Sequence, residues 1–167
     1  MSIKTLLAKR GSTHFLRLAL SMIGLGVVAL CIFALPAMWR GASAEFPAAS
    51  QAVFLIVLGL YATAIPFFIA LWQAFKLLRF IDQGAAFSES SVKALRVMKR
   101  CIMVIAALYV GGVPLLYPIA DVDDAPGLIL IGMVIACVPI TVAVFATVLE
   151  KLLQSAIEIQ SENDLTV

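Results

Sequence analysis

Charge is what this sequence has least of. Of its 167 residues 13% are Asp, Glu, Lys or Arg and 63% are apolar. Ordinary globular domains carry about 25% charged and about 45–50% apolar residues. A water-soluble particle of this size would leave long apolar faces in solvent, an aggregation liability that argues against a soluble domain. Histidine occurs once, as His14 beside Arg17, where it reads as a headgroup contact. Cysteine occurs three times (Cys31, Cys101 and Cys137), always within apolar stretches. An odd count with no close pair argues against a disulfide framework and a metal site, and leaves free thiols acting as small hydrophobes. The sequence also lacks a nucleophile–base pair and a phosphate-binding loop. Enzyme activity and a cofactor therefore have no support.

What the chain does have is long runs without charge. Leu18–Trp39, Phe46–Phe75, Cys101–Ala120 and Ala125–Leu149 contain no Asp, Glu, Lys or Arg. Crossing a hydrocarbon core of about 30 Å takes about 20 helical residues at 1.5 Å each, so every run is long enough. None shows the strict polar–apolar alternation of a spanning strand. Without water to satisfy backbone groups, helices are what remains. The expectation is an all-α integral membrane bundle of four transmembrane helices in one domain, with spans at about 18–39, 52–75, 101–120 and 126–149. Segment 76–100 forms a helical loop between the second and third spans.

The first span has a rival reading. Lys4, Lys9, Arg10 and Arg17 precede an apolar run, and Ala42-Ser43-Ala44 has the outline of a cleavage site. A signal peptide usually has an apolar region of about 7–15 residues, shorter than this run, and Arg40 falls where such peptides seldom carry charge. A retained helix is favoured.

Orientation follows from the positive residues. The N-terminal tail holds four, segment 76–100 holds six (Lys76, Arg79, Lys93, Arg96, Lys99 and Arg100) and the tail holds Lys151, whereas the other side holds only Arg40. Positive residues stay cytoplasmic, so both termini and segment 76–100 are expected in the cytoplasm. Asp121, Asp123 and Asp124 then face outward. They lack the ligand number and spacing of a calcium loop, and a solvated turn ended by Pro126 is the plainer reading.

The cytoplasmic side carries the local signals. Gly84 follows a periodic segment as a helix stop. Ser88 is placed to cap a new helix, with Glu89 complementing its dipole and Phe87 and Val92 in the positions of a hydrophobic staple. Val92, Leu95, Met98 and Ile102 form an apolar stripe. Lys93, Arg96, Lys99 and Arg100 lie off it, where each would gain about 1 kcal/mol near anionic lipid headgroups. The tail turns acidic at Glu158, Glu162 and Asp164 and could fold back on the basic segment, through exposed pairs each worth under about 1 kcal/mol. Within the spans the polar groups are Ser21, Tyr61, Thr63, Tyr109, Thr141 and Thr147, suited to packing and backbone hydrogen bonds rather than a pore. Ala107 with Gly111, and Ala143 with Thr147, are small residues four apart that permit close helix contact. Pro66 and Pro139 fall mid-span, where each removes a backbone bond and should kink its helix.

Two stretches carry a family resemblance. Leu77-Leu78-Arg79-Phe80-Ile81-Asp82-Gln83-Gly84-Ala85-Ala86-Phe87-Ser88 and the terminal Glu162-Asn163-Asp164-Leu165-Thr166-Val167 resemble the YoaS-like bacterial membrane proteins, domain of unknown function 2975. The resemblance implies four spans in a bacterial cytoplasmic (inner) membrane. It also implies a helix-turn-helix regulator as partner, because such regulators often neighbour the family's genes, with no direct contact of this chain to nucleic acid. The functional expectation is a non-enzymatic, regulatory membrane protein. It would touch a partner or lipid through Phe87, Ser88, Lys93, Arg96, Lys99, Arg100, Asp164 and Leu165. The alternative is a small homo-oligomeric transporter, channel or immunity/export component.

Overall fold

The computed structural model describes the backbone of residues 3–165 and the side chains of residues 13–162. Every regular element among the described residues is helical. Helix α1 (Ile3–Ala29) runs through a π-helical turn at Leu30–Ala34 into α2 (Leu35–Glu45). A short 3₁₀ turn at Pro47–Ala49 leads to α3 (Ser50–Asp82), followed by α4 (Glu89–Gly112). A second 3₁₀ turn at Val113–Leu116 leads into α5 (Tyr117–Val122), and α6 (Gly127–Leu165) completes the chain. Among the described residues four helical segments are long and apolar enough to cross a membrane: Thr13–Glu45, Pro47–Asp82, Glu89–Val122 and Gly127–Glu162.

These segments do not close into a four-cornered bundle. Among the described residues α1 and α2 pack on α3, α3 packs on α4, and α4 packs on α6, so the long segments lie in a row. Buried apolar residues gather at both ends of the middle helices, with Ala49, Ala52, Val53 and Val57 where α3 begins and Leu78, Val92, Ala94 and Leu95 where α3 ends and α4 begins. The two outer helices, α1 and α6, keep most large apolar side chains exposed, as lipid-facing helices do. The end of the molecule formed by the α3–α4 connection carries Arg79, Lys93, Arg96, Lys99 and Arg100 and is called the basic end below.

Close approach between helices occurs at Gly24 and Gly132, not at the expected Gly111. A Cβ on Gly24 would meet the Leu71 side chain, and one on Gly132 would collide with that of Leu116. Gly111, by contrast, has nothing within 4 Å of where its Cβ would be. It faces an apolar recess of about 440 Å³ between α3, α4 and α6, bordered by Gly59, Leu60, Ala107, Gly112 and Ile135. The Ala107/Gly111 spacing thus borders open space instead of a helix contact.

The irregular turn in the first segment has a local cause. Leu35 N–H reaches back to the Leu30 carbonyl, five residues away. Continuing that pattern, the Cys31 carbonyl would need the N–H of Pro36, which proline lacks. Tyr61 on α3 supplies the missing donor, its hydroxyl lying 2.7 Å from the Cys31 oxygen. Inside a membrane water offers no substitute. Tyr61→Phe is expected to cost about 0.6 kcal/mol and at most about 1.7 kcal/mol, the range for interhelical hydrogen bonds in membranes. Detergent-solubilised protein in a thermal unfolding series checks this, and Tyr61→Phe in a Pro36→Ala background should cost less. Pro66 and Pro139 lie within helices that continue through them. Thr63, Thr141 and Thr147 each donate to a carbonyl of their own helix three or four residues back.

Candidate functional site

The basic end is built around a helix stop and a helix start. Gly84 takes a left-handed conformation with φ of 74°. Its N–H bonds to the Ile81 carbonyl, and that of Ala85 bonds to the Phe80 carbonyl, both at the end of α3. This is the Schellman arrangement, and it needs a residue without a Cβ penalty at that position. Four residues on, the Ser88 hydroxyl accepts from the Ser91 N–H at 3.3 Å and caps α4. Ser91 is fully buried, and its own hydroxyl donates back to the Ala85 carbonyl at 3.2 Å. The connection is thereby tied at both ends to one buried side chain. Phe87, next to the cap residue, leaves 61% of its surface exposed, far more than a side chain closing over the buried Val92 would.

The positive residues of α4 divide by partner. Lys93 is exposed and lies 3.9 Å from Glu89 one turn earlier, a weak surface pair. Arg100 is exposed. Arg96 and Lys99 turn towards α6 and share Glu150. Arg96 Nε donates to one carboxylate oxygen at 2.9 Å, and Lys99 Nζ donates to the other at 2.5 Å. Glu150 is 7% exposed. It stands one residue past the last charge-free run, and the bonds from Lys99 and then Arg96 hold its carboxyl below the usual value, against the opposing effect of burial. A second pair, Arg17 to Asp82 at 2.6 Å, joins α1 to the last residue of α3.

A polar groove of about 460 Å³ opens between the start of α4 and the far end of α6. Glu89, Lys93, Arg96, Gln154 and Glu158 line it, with Val92 and Ile157 at its floor. Of the residues singled out by sequence, Phe87, Ser88, Lys93, Arg96, Lys99 and Arg100 thus gather at one end of the molecule, along the α3–α4 connection and the first turns of α4. The side chains of Asp164 and Leu165 lie outside the described residues. The ion pairs that join the basic segment to α6 are made at Glu150, whereas the acidic tail expected to fold back continues α6 as one helix through Glu158 to Leu165. A carboxylate immediately after a charge-free run, opposite a loop rich in Lys and Arg, was the available signal for Glu150.

At the opposite end Asp124 adopts a left-handed conformation (φ 50°), and Ala125 N–H bonds to the Ala120 carbonyl. Asp is among the few residues that tolerate this conformation, so Asp124 serves as a helix stop. Among the described residues no three His, Cys, Asp or Glu side chains converge on a point that could hold a metal ion.

An all-helical chain with four apolar helices of membrane-crossing length, joined at a compact charged end, defines a multi-span membrane protein. Residues 37–167 match the family model described as "Protein of unknown function (DUF2975)", and the chain belongs to that family. It is similar to the "Uncharacterized membrane protein YoaS" of Bacillus subtilis (strain 168), with 50% identity over 158 residues that cover 95% of this chain and 99% of that protein. No solved structure matches.

Proposed function

We propose that the chain is a non-enzymatic regulatory protein of a bacterial cytoplasmic membrane. Both termini and the basic end lie in the cytoplasm, and the basic end docks a soluble partner. The orientation rests on eleven Lys and Arg on that side against one on the other. The observation that carries the docking reading is Phe87, a large aromatic side chain exposed on a connection tied down at Gly84, Ser88 and Ser91. An aromatic group on a pre-ordered loop loses little freedom on binding and suits the centre of an interface. The adjoining groove offers both signs of charge to a partner's polar rim. A helix-turn-helix regulator is the partner implied by the family resemblance. Anionic headgroups around Lys76, Arg79 and Arg100 are the natural neighbours of the same surface. The recess between α3, α4 and α6 has an almost wholly apolar lining and offers little to coordinate an ion, which favours docking over transport.

The test is gentle purification from native membranes after crosslinking. A soluble regulator in near-stoichiometric amount is the expected companion. Phe87→Ala should weaken its binding by about 2 kcal/mol, about thirtyfold, as for a central aromatic anchor. The substitution leaves the Arg96–Glu150–Lys99 cluster untouched, so lost binding cannot be blamed on lost fold. Recovery of the same companion at wild-type level from the Phe87→Ala and Lys93→Ala variants would sink the proposal.

A further inference from the structure

Helix α6 is 39 residues long, and at 1.5 Å per residue it measures about 58 Å, nearly twice a hydrocarbon core. One of its faces, with Glu150, Gln154 and Ile157, meets α4. An adjoining face carries Ile131, Ile135, Val138, Val142, Phe145 and Leu149, at alternating intervals of four and three residues, all exposed, with Ile135 at the edge of the recess shared with α3 and α4. The alternation does not stop at the end of the charge-free run. It continues through Leu152, Ala156 and Ile159 into a stretch that also holds Glu150, Lys151, Glu158 and Glu162. Lipid accounts for the exposed apolar groups of the first six. It does not account for Leu152, 62% exposed, or Ile159, 67% exposed, which stand among charged residues.

We infer that this stripe is the seam of a parallel coiled coil between the α6 helices of two copies of the chain. An interval of 3.5 residues held over nine positions is the repeat that winds two helices into a left-handed supercoil. Copies of one protein enter a membrane in one orientation, so their α6 helices meet parallel and in register, with like residues facing across the seam. The flanking positions suit that pairing. In a parallel pair Ser155 of one helix comes beside Gln160 of the other, and Val148 beside Leu153, so no like charges are forced together. Lys151 and Glu158 point away from the stripe, about 100° or more around the helix. The seam would be about 42 Å long. The partner-docking groove is on another side of α6, so the dimer leaves it open and does not rest on that reading.

Disulfide trapping in native membranes tests the seam. The chain carries Cys31→Ser, Cys101→Ser and Cys137→Ser, and single cysteines are then introduced as Leu152→Cys or Ile159→Cys on the seam and Lys151→Cys or Glu158→Cys off it. Mild oxidation should give a band at twice the chain mass that is several-fold stronger for the two seam positions. Equal yields at all four positions, no dimer at the seam, or a crosslinked product of any other mass overturns the inference. The second arm uses the full chain with Leu152→Asp and Ile159→Asp in mild detergent. Light scattering should show the protein mass falling from twice 17.9 kDa to 17.9 kDa at unchanged helical content. A wild-type protein that is monomeric in membranes and detergent alike, or a doubly substituted chain that stays dimeric, also overturns it.

Discussion

Replacing Glu150 with alanine is expected to lower the unfolding temperature of the detergent-solubilised protein by about 5–10 °C. Removing one member of a buried ionic cluster strands the others and typically costs about 3–5 kcal/mol. The cost should fall below that range, at about 2–3 kcal/mol, because the Arg96 side chain is 42% exposed and recovers water once its partner is gone. Lys99 has less recourse, with its side chain 20% exposed. For a chain of this length each kcal/mol shifts the midpoint by about 2–4 °C. Glu150→Gln keeps the shape and part of the hydrogen bonding and should cost less than alanine. Acidification provides a second readout. The folded carboxyl titrates below its ordinary 4.5, so between the folded and unfolded values the unfolded chain binds the extra proton. The contribution of Glu150 is therefore fully present above about pH 4.5 and is lost as pH falls through the folded value. Wild type should lose stability over that interval with a steeper slope than Glu150→Gln, and parallel slopes would refute the assignment.

Ser91→Leu should be of comparable size and act elsewhere. Ser91 is fully buried, and its hydroxyl ties α4 to the Ala85 carbonyl. Leucine there adds methylenes where no space exists, an overpacking cost of about 1–3 kcal/mol. It also deprives a carbonyl of its partner, for about 1 kcal/mol more. Ser91→Ala removes only the hydrogen bond and should cost about 1 kcal/mol. The two variants separate packing from polarity. Limited proteolysis at residues 83–88 is the sensitive readout, since the connection loses one anchor in both variants and is pushed off α4 only with leucine. Resistance equal to wild type in Ser91→Leu would show that Ser91 does not hold the connection.

The parts of the fold legible in the sequence were those governed by short-range rules. Charge-free runs mark where lipid can be tolerated. Gly84 and Ser88 could be assigned because a left-handed turn and a helix cap each ask for a particular side chain within a few residues. Glu150 escaped because its partners, Arg96 and Lys99, stand more than fifty residues away on another helix, and no local pattern joins them. The π-helical turn escaped for a related reason. Pro36 alone announces a missing donor, but only the arrival of Tyr61 from α3 shows how the orphaned carbonyl is satisfied. The order of the four helices in a row was not legible, because apolar length says nothing about which neighbours a helix keeps. In lipid an uncovered outer face costs little, so hydrophobic burial does not drive the outer helices together.

The placement of Glu150 also bears on how the molecule is made. Arg96 and Lys99 are synthesised some fifty residues before the carboxylate they share. Throughout that interval two cations at the mouth of α4 have no counterpart on α6. A chain cut short before α6 would keep them in that state, carrying the mark of an unfinished product. Only the last helix to emerge gives the two cations a counterion to share, so arrival of the final segment and pairing of the third are one event.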